Sequence, residues 1–278
     1  MPDYFRRILI PLDFSINTDI AVNKGLELAD SGTTIHLLYV HNFALPGLTG
    51  IIKKSLNETD EFPVSEMIKK KMSQWKNSIE ETRNDISVHT WAILEGSVQK
   101  AIEKKAKQLA VDLIIIGKHS QHSWFPFFNT VTPTKLAQKT GISVLTIKPG
   151  IIRKKNQTIV LPVTGETAVQ KMEVISAICR KFRVRIHLVT FLNNVNESPG
   201  FSASSLIQVC QCLKSTHSHV EYAVVRGRNK AKTIMEYAEK INADILLVQP
   251  RVETKIGWPD RHISDVLPAR SKVQVWAV

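Results

Sequence analysis

Residues 112–148 read DLIIIGKHSQHSWFPFFNTVTPTKLAQKTGISVLTIK, and this stretch decides the fold. Leu113 to Ile116 is a short run of branched apolar residues stopped by Gly117, which fits a strand buried on both faces of a parallel sheet. Thr130 to Lys139 has the composition of a short helix. Val144 to Ile147 is a second β-branched run, expected to return parallel to the first. Ligands of open α/β sheets sit outside the carboxyl ends of the strands, so the loop that opens at Gly117 is where a ligand is to be sought.

Toward the N-terminus, Ile8 to Ile10 predicts a first buried strand, ended by Pro11-Leu12-Asp13-Phe14-Ser15. Ser15 or Asn17 can cap the helix that carries Ile20, Ala21, Leu28 and Ala29, and Gly32 closes it. Ile35 to Val40 is a second strand. Strand, helix and strand in close succession make a βαβ unit with a right-handed crossover. Residues 44–62 show no period and predict a long loop. Val64, Ile68, Met72, Trp75 and Ile79 then fall at helical spacing and read as a core stripe. Ile86 to Leu94 is the third strand, and Glu95-Gly96-Ser97 turns into a helix burying Val98, Ala101, Ile102, Ala106 and Leu109.

The chain then echoes itself. TIVLPVTGET at 158–167 matches ILIPLDFS with Pro162 in the place of Pro11, an offset of 162 − 11 = 151. VVRGRNKAKTIMEYAEKINADILLV at 224–248 matches ILEGSVQKAIEKKAKQLAVDLIII with Gly227 in the place of Gly96, an offset of 227 − 96 = 131. The second copy is therefore shorter, and the long loop of the first is where the difference is expected. Two tandem domains follow, 1–150 and 151–278.

PLDFS before a helix, LLYVHNF on the second strand and the glycine after the fourth strand together resemble the universal stress protein family. The resemblance implies two open parallel five-stranded sheets with helices on both faces and strand order 3-2-1-4-5. It also implies an ATP site in which Asp13 and the backbone of Val40 meet the adenine. The family's phosphate loop is glycine-x2-glycine-x9-glycine followed by Ser or Thr. From Gly117 those places hold Ser120, Thr130 and Val131, and a frame shifted by one puts Asn129 and Thr130 in the last two. The residues the resemblance assigns to a nucleotide are thus Asp13, Val40, Gly117, His119, Ser120 and Thr130. Asp13 has a second reading, since an acid between a strand and a helix is favoured by the helix dipole without any ligand. In the second copy Thr164 replaces the aspartate, and Gln249-Pro250-Arg251 stands where the first has Gly117-Lys118-His119, so nucleotide binding is not expected there.

The net charge is +12, but the bases lie in short scattered groups without interleaved aromatics, which argues against specific nucleic-acid binding. No run reaches the roughly 18 to 20 apolar residues of a membrane span, and a cytoplasmic location is expected. Cys179, Cys210 and Cys212 lack metal-ligand spacing and read as structural thiols. His119 and His122 flank the loop without a matched carboxylate or nucleophile, so no catalytic residue is assigned. The reading favoured is a stress-response module without enzymatic chemistry, its nucleotide site degraded in both domains. In it, Trp124-Phe125-Pro126-Phe127-Phe128 folds over the Gly117 loop. The alternative is a stress protein that binds ATP in the first domain, with the aromatics facing a protein partner. The two domains are expected to pair as an intramolecular pseudo-dimer through their closing runs, with a homo-oligomer as a further option.

Overall fold

The computed structural model describes residues 4–41, 66–117, 131–148, 156–163, 169–192, 209–211, 213, 219–227, 229–250 and 271–278. The chain divides into two compact units, Phe5–Val131 and, together with the first four residues, Thr132–Val278.

In the first unit, β1 (Arg7–Leu12), β2 (Thr34–His41), β3 (Ser87–Leu94) and β4 (Leu113–Gly117) lie in the order β3-β2-β1-β4, and every pair is parallel. The central β1 and β4 are almost wholly buried, as their unbroken apolar runs require. Helices α1 (Ile16–Leu28), α2 (Glu66–Thr82) and α3 (Val98–Gln108) connect the strands. Of the two capping options, Ser15 is the cap: its side chain accepts from the backbone of Asn17 at 3.2 Å. On α2, Met72 and Ile79 are buried, but Trp75 is only half-buried, which corrects its reading as a core residue.

The second unit holds α4 (Pro133–Thr140), β5 (Ser143–Ile147), β6 (Asn156–Pro162), α5 (Val169–Lys181), β7 (Arg183–Leu192), β8 (His219–Arg226), α6 (Lys230–Lys240), β9 (Ile245–Val248) and β10 (Gln274–Ala277). Five of its strands run β8-β7-β6-β9-β10, which is the order 3-2-1-4-5 complete. Helix α4 starts later than its composition suggests, because Pro133 takes the first helical position, and it ends on Gly141 at φ 70°.

Beyond β10 lies β5, joined to it antiparallel with Thr146 opposite Val275 and Leu145 opposite the fully buried Trp276. The backbone N–H groups of Gln274 and Val278 donate to the carbonyls of Asp244 and Val248, on the β9 side, so that of the intervening Val275 points at β5. Val275→Pro deletes a donor from this one ladder and leaves a buried carbonyl unmatched, which costs about 1–3 kcal/mol. Urea unfolding of Val275→Pro beside Val275→Ala measures it, and equal midpoints would remove β5 pairing from the account.

Prolines shape both parallel sheets at their middle. Asp112 N–H donates to the carbonyl of Arg7 at 2.8 Å, so Arg7, Leu9 and Pro11 turn their backbone groups toward β4. Pro11 has no N–H to offer, and β1 pairs with β4 only at Ile8 and Leu9, whereas β1 and β2 stay paired to Leu12. Asp244 N–H donates to Thr158 O in the same way, and β6 pairs with β9 only at Ile159 and Val160, short of Pro162. Each sheet therefore parts at its carboxyl end between the first and fourth strands of the repeat, at the topological switch point.

Candidate functional site

The first unit brings Asp13, Val40 and Gly117 to the carboxyl ends of β1, β2 and β4. The register of Leu12 with Tyr39 sets Asp13 beside Val40. His119, Ser120 and Thr130 lie outside the described residues, as do Trp124 to Phe128 and the expected loop 44–62.

Asp13 organises the turn between β1 and α1. Its Oδ1 accepts from Ser15 N–H at 3.0 Å, Ser15 Oγ at 2.6 Å and Thr18 Oγ1 at 2.7 Å, while Thr18 Oγ1 accepts from Asp13 N–H at 3.0 Å. The bends this requires are taken up at Phe14, which adopts φ 57°, a left-handed conformation costly for an aromatic residue. Phe14 leans on Tyr39 with ring centroids 5.3 Å apart, and Lys71 Nζ stands 5.3 Å from its ring centroid. Burial, and then the charge of Asp13, raise the Asp19 carboxyl above its ordinary range.

Gly117 has a packing reason. A methyl group at its Cα would collide with the carbonyl oxygen of Asn17 and come within 2.8 Å of the Asn17 carbonyl carbon and Cβ. The first turn of α1 rests directly on the backbone end of β4, and only glycine admits that approach.

Beside the turn, a cleft of about 340 Å³ is lined by Phe14 and by Lys71, Gln74, Trp75 and Ser78 from one side of α2. Its aromatic walls and the cation of Lys71 suit a flat anionic molecule. The stripe that announced α2 gave no sign of it, because Trp75 occupies a position that spacing alone assigns to the core.

The second unit keeps the parted strands but fills the gap. Lys171, on α5, is 1% exposed, and its ammonium donates to the carbonyl of Pro162 at 3.1 Å, on the β9 side of β6. A buried cation thus stands at the switch point. Gln249 and Pro250 follow β9 half-buried, and Thr164 lies outside the described residues. Cys179 and Cys210 are half-buried, and among the described residues no group of three or more metal-ligating side chains is found. No described helix is long and apolar enough to cross a membrane.

Strand order 3-2-1-4-5 in the second unit, and the parting of the first and fourth strands in both, define an open, mostly parallel α/β fold. A profile of the universal stress protein family matches residues 4–148, more than half the chain, and the chain belongs to that family. Among solved structures it is similar to a universal stress protein from Archaeoglobus fulgidus DSM 4304, with TM-score 0.66 and 16% identity, covering 99% of this chain and 97% of that one. A functionally unknown protein from Pseudomonas aeruginosa PAO1 aligns with TM-score 0.59 and 15% identity over 99% and 93%. The cytoplasmic domain of a prokaryotic cation chloride cotransporter aligns with TM-score 0.57 and 9% identity over 99% and 95%. At such identities the likeness is one of fold. No curated protein sequence matches the chain.

Proposed function

We propose that the chain is a cytoplasmic stress-response module built of two universal stress domains in tandem, 1–150 and 151–278, that works through its surfaces without holding a nucleotide. The observation that carries this reading is the state of Asp13. One oxygen of the carboxylate that would read an adenine, Oδ1, already accepts three donors of its own turn, so the turn holds this side chain without a ligand's help. Three further features support it. Gly117 is explained by contact with Asn17, two glycines of the family's phosphate loop are replaced by Ser120 and Thr130, and Lys171 stands where a second ligand would enter. The antiparallel pairing of β5 with β10 supports a pseudo-dimer in which the closing strands of the two repeats cover one another.

A second reading is favoured by one observation, the cleft of about 340 Å³ beside Asp13 with its aromatic and cationic lining. It makes the first domain an ATP site using Asp13, Val40, Gly117, His119, Ser120 and Thr130. Denaturing freshly purified protein and chromatographing the released small molecules separates the two. The proposal expects no adenine nucleotide, and release of an equimolar amount would establish the second reading in its place.

A further inference from the structure

Each unit carries a buried histidine at the same place in its sheet. His36 on β2 lies between Leu9 of β1 and His89 of β3, and His187 on β7 lies between Val160 of β6 and Glu221 of β8. They are 6% and 7% exposed. The offset 187 − 36 = 151 is that of Pro162 and Pro11. The helix packed over each pair is capped by Ser97 in one unit and by Asn229 in the other, an offset of 229 − 97 = 132. By that offset Tyr237 takes the place of Lys105, since 237 − 105 = 132. By strand register Ala223 takes the place of Trp91, because Leu38 pairs with Trp91 and Val189 with Ala223.

The exchange changes what each histidine can do. In the first unit the Trp91 indole N–H donates to His36 Nδ1 at 3.3 Å, and Lys105 Nζ lies 3.7 Å from the Trp91 ring centroid. An indole only donates, so Nδ1 of His36 must keep its lone pair and the proton of the neutral ring sits on Nε2. The other groups facing the ring are His89, stacked at 5.6 Å, and the cations Arg7 and Lys105. All of them oppose a second proton.

In the second unit, alanine on the strand leaves room for Tyr237 to reach down from α6, and its hydroxyl lies 3.0 Å from His187 Nδ1. A phenol both donates and accepts. Against the other nitrogen, Glu221 Oε2 stands 3.6 Å from Nε2. Arg185, 3.7 Å from Glu221 on the strand of His187 itself, and His219, 3.5 Å from Glu221 on β8, complete the charged surroundings. Val160, the neighbour on β6, carries no charge.

We propose that His187 is an acid-operated switch of the second unit: a proton from solvent makes it an imidazolium held between Tyr237 and Glu221, while its counterpart His36 is locked in one neutral tautomer. On protonation the Tyr237 hydroxyl turns from donor to acceptor, and the loose contact with Glu221 becomes charge-assisted, tying β7 to its neighbour β8. Burial pulls His187 below the ordinary imidazole range, Glu221 pulls it back, and Arg185 and His219 oppose that pull. Burial first, and then His89, Arg7 and Lys105, push His36 down to about 4.

Imidazole nitrogen spectra of the full-length protein between pH 7.5 and the onset of acid unfolding test this, with His36→Gln and His187→Gln identifying the signals. The expected result is a His36 ring with Nδ1 unprotonated throughout. His187 instead gains a second nitrogen-bound proton while the backbone spectrum stays folded, and β8 amides shift at the same midpoint. Glu221→Gln should lower that midpoint, which a purely structural role for Glu221 would not do. A His187 that keeps one neutral tautomer until the protein unfolds, a midpoint unmoved by Glu221→Gln, or a His36 that titrates together with His187 each overturns the proposal.

Discussion

Gly117→Ala is expected to destabilise the protein by about 1–3 kcal/mol, toward the upper end of that range, because the atoms in the way are backbone and cannot rotate aside. The new methyl group meets the carbonyl of Asn17, so either the first turn of α1 lifts from β4 or β4 withdraws from the sheet. Gly25→Ala is the control. The atoms nearest its methyl group are Ile10 Cδ1, at 2.8 Å, and Ile115 Cδ1, at 3.7 Å, both ends of flexible side chains. Urea unfolding of the two variants should show a much larger loss for Gly117→Ala. If Gly117 served a phosphate alone, its replacement would leave the unfolding midpoint of the ligand-free protein where it was.

The second large effect is acid sensitivity. His36 has an ordinary imidazole value of 6.5 in the unfolded chain and about 4 when folded. In that interval the unfolded state holds the extra proton and the folded state does not. Stability is therefore complete above pH 6.5 and is lost as pH falls toward 4. A shift of that size corresponds to about 3 kcal/mol for a group this buried. His36→Gln removes the titration while keeping an acceptor for the Trp91 indole. Urea unfolding at pH 7 and at pH 4 should show the parent losing about 3 kcal/mol more than the variant over that interval. Equal losses would mean that His36 is already charged in the folded protein.

Much of the fold is legible in the chain because it is written in local patterns. The branched runs at Ile8, Ile35 and Leu113 became strands buried on both faces, and the βαβ order fixed their parallel arrangement. The echo between the halves also shows where length was lost. The helix caps place the later elements 132 apart and the prolines place the earlier ones 151 apart. The deficit of 151 − 132 = 19 residues falls between the second and third strands, 42–86 in one unit and 193–218 in the other. The glycine pair suggested 131, because Gly227 stands one place earlier relative to its helix than Gly96 does.

The site was less legible, for physical reasons that differ by residue. Asp13, Val40 and Gly117 lie at the carboxyl ends of β1, β2 and β4, and the contact of Gly117 with Asn17 joins positions a hundred residues apart and leaves no local signature. Trp75 occupies a core position by spacing, but with Lys71 on the same side of α2 it lines a cleft shared with Phe14. His36 and His187 are each one of several polar residues on their strands, and only the strand register shows that they are counterparts with different partners. Lys171 looks like one more surface base in a chain of charge +12, and its burial depends on the gap that Pro162 opens between β6 and β9.

The central claim is that the chain works without holding a nucleotide, and calorimetric titration of the full-length chain with magnesium ATP tests it most directly. The account predicts no saturable heat from the parent protein, and none from Lys171→Met, in which the second switch point loses its cation. Saturable one-to-one binding by the parent that disappears in Asp13→Ala would contradict it, and would show the turn at Asp13 to be a working adenine site.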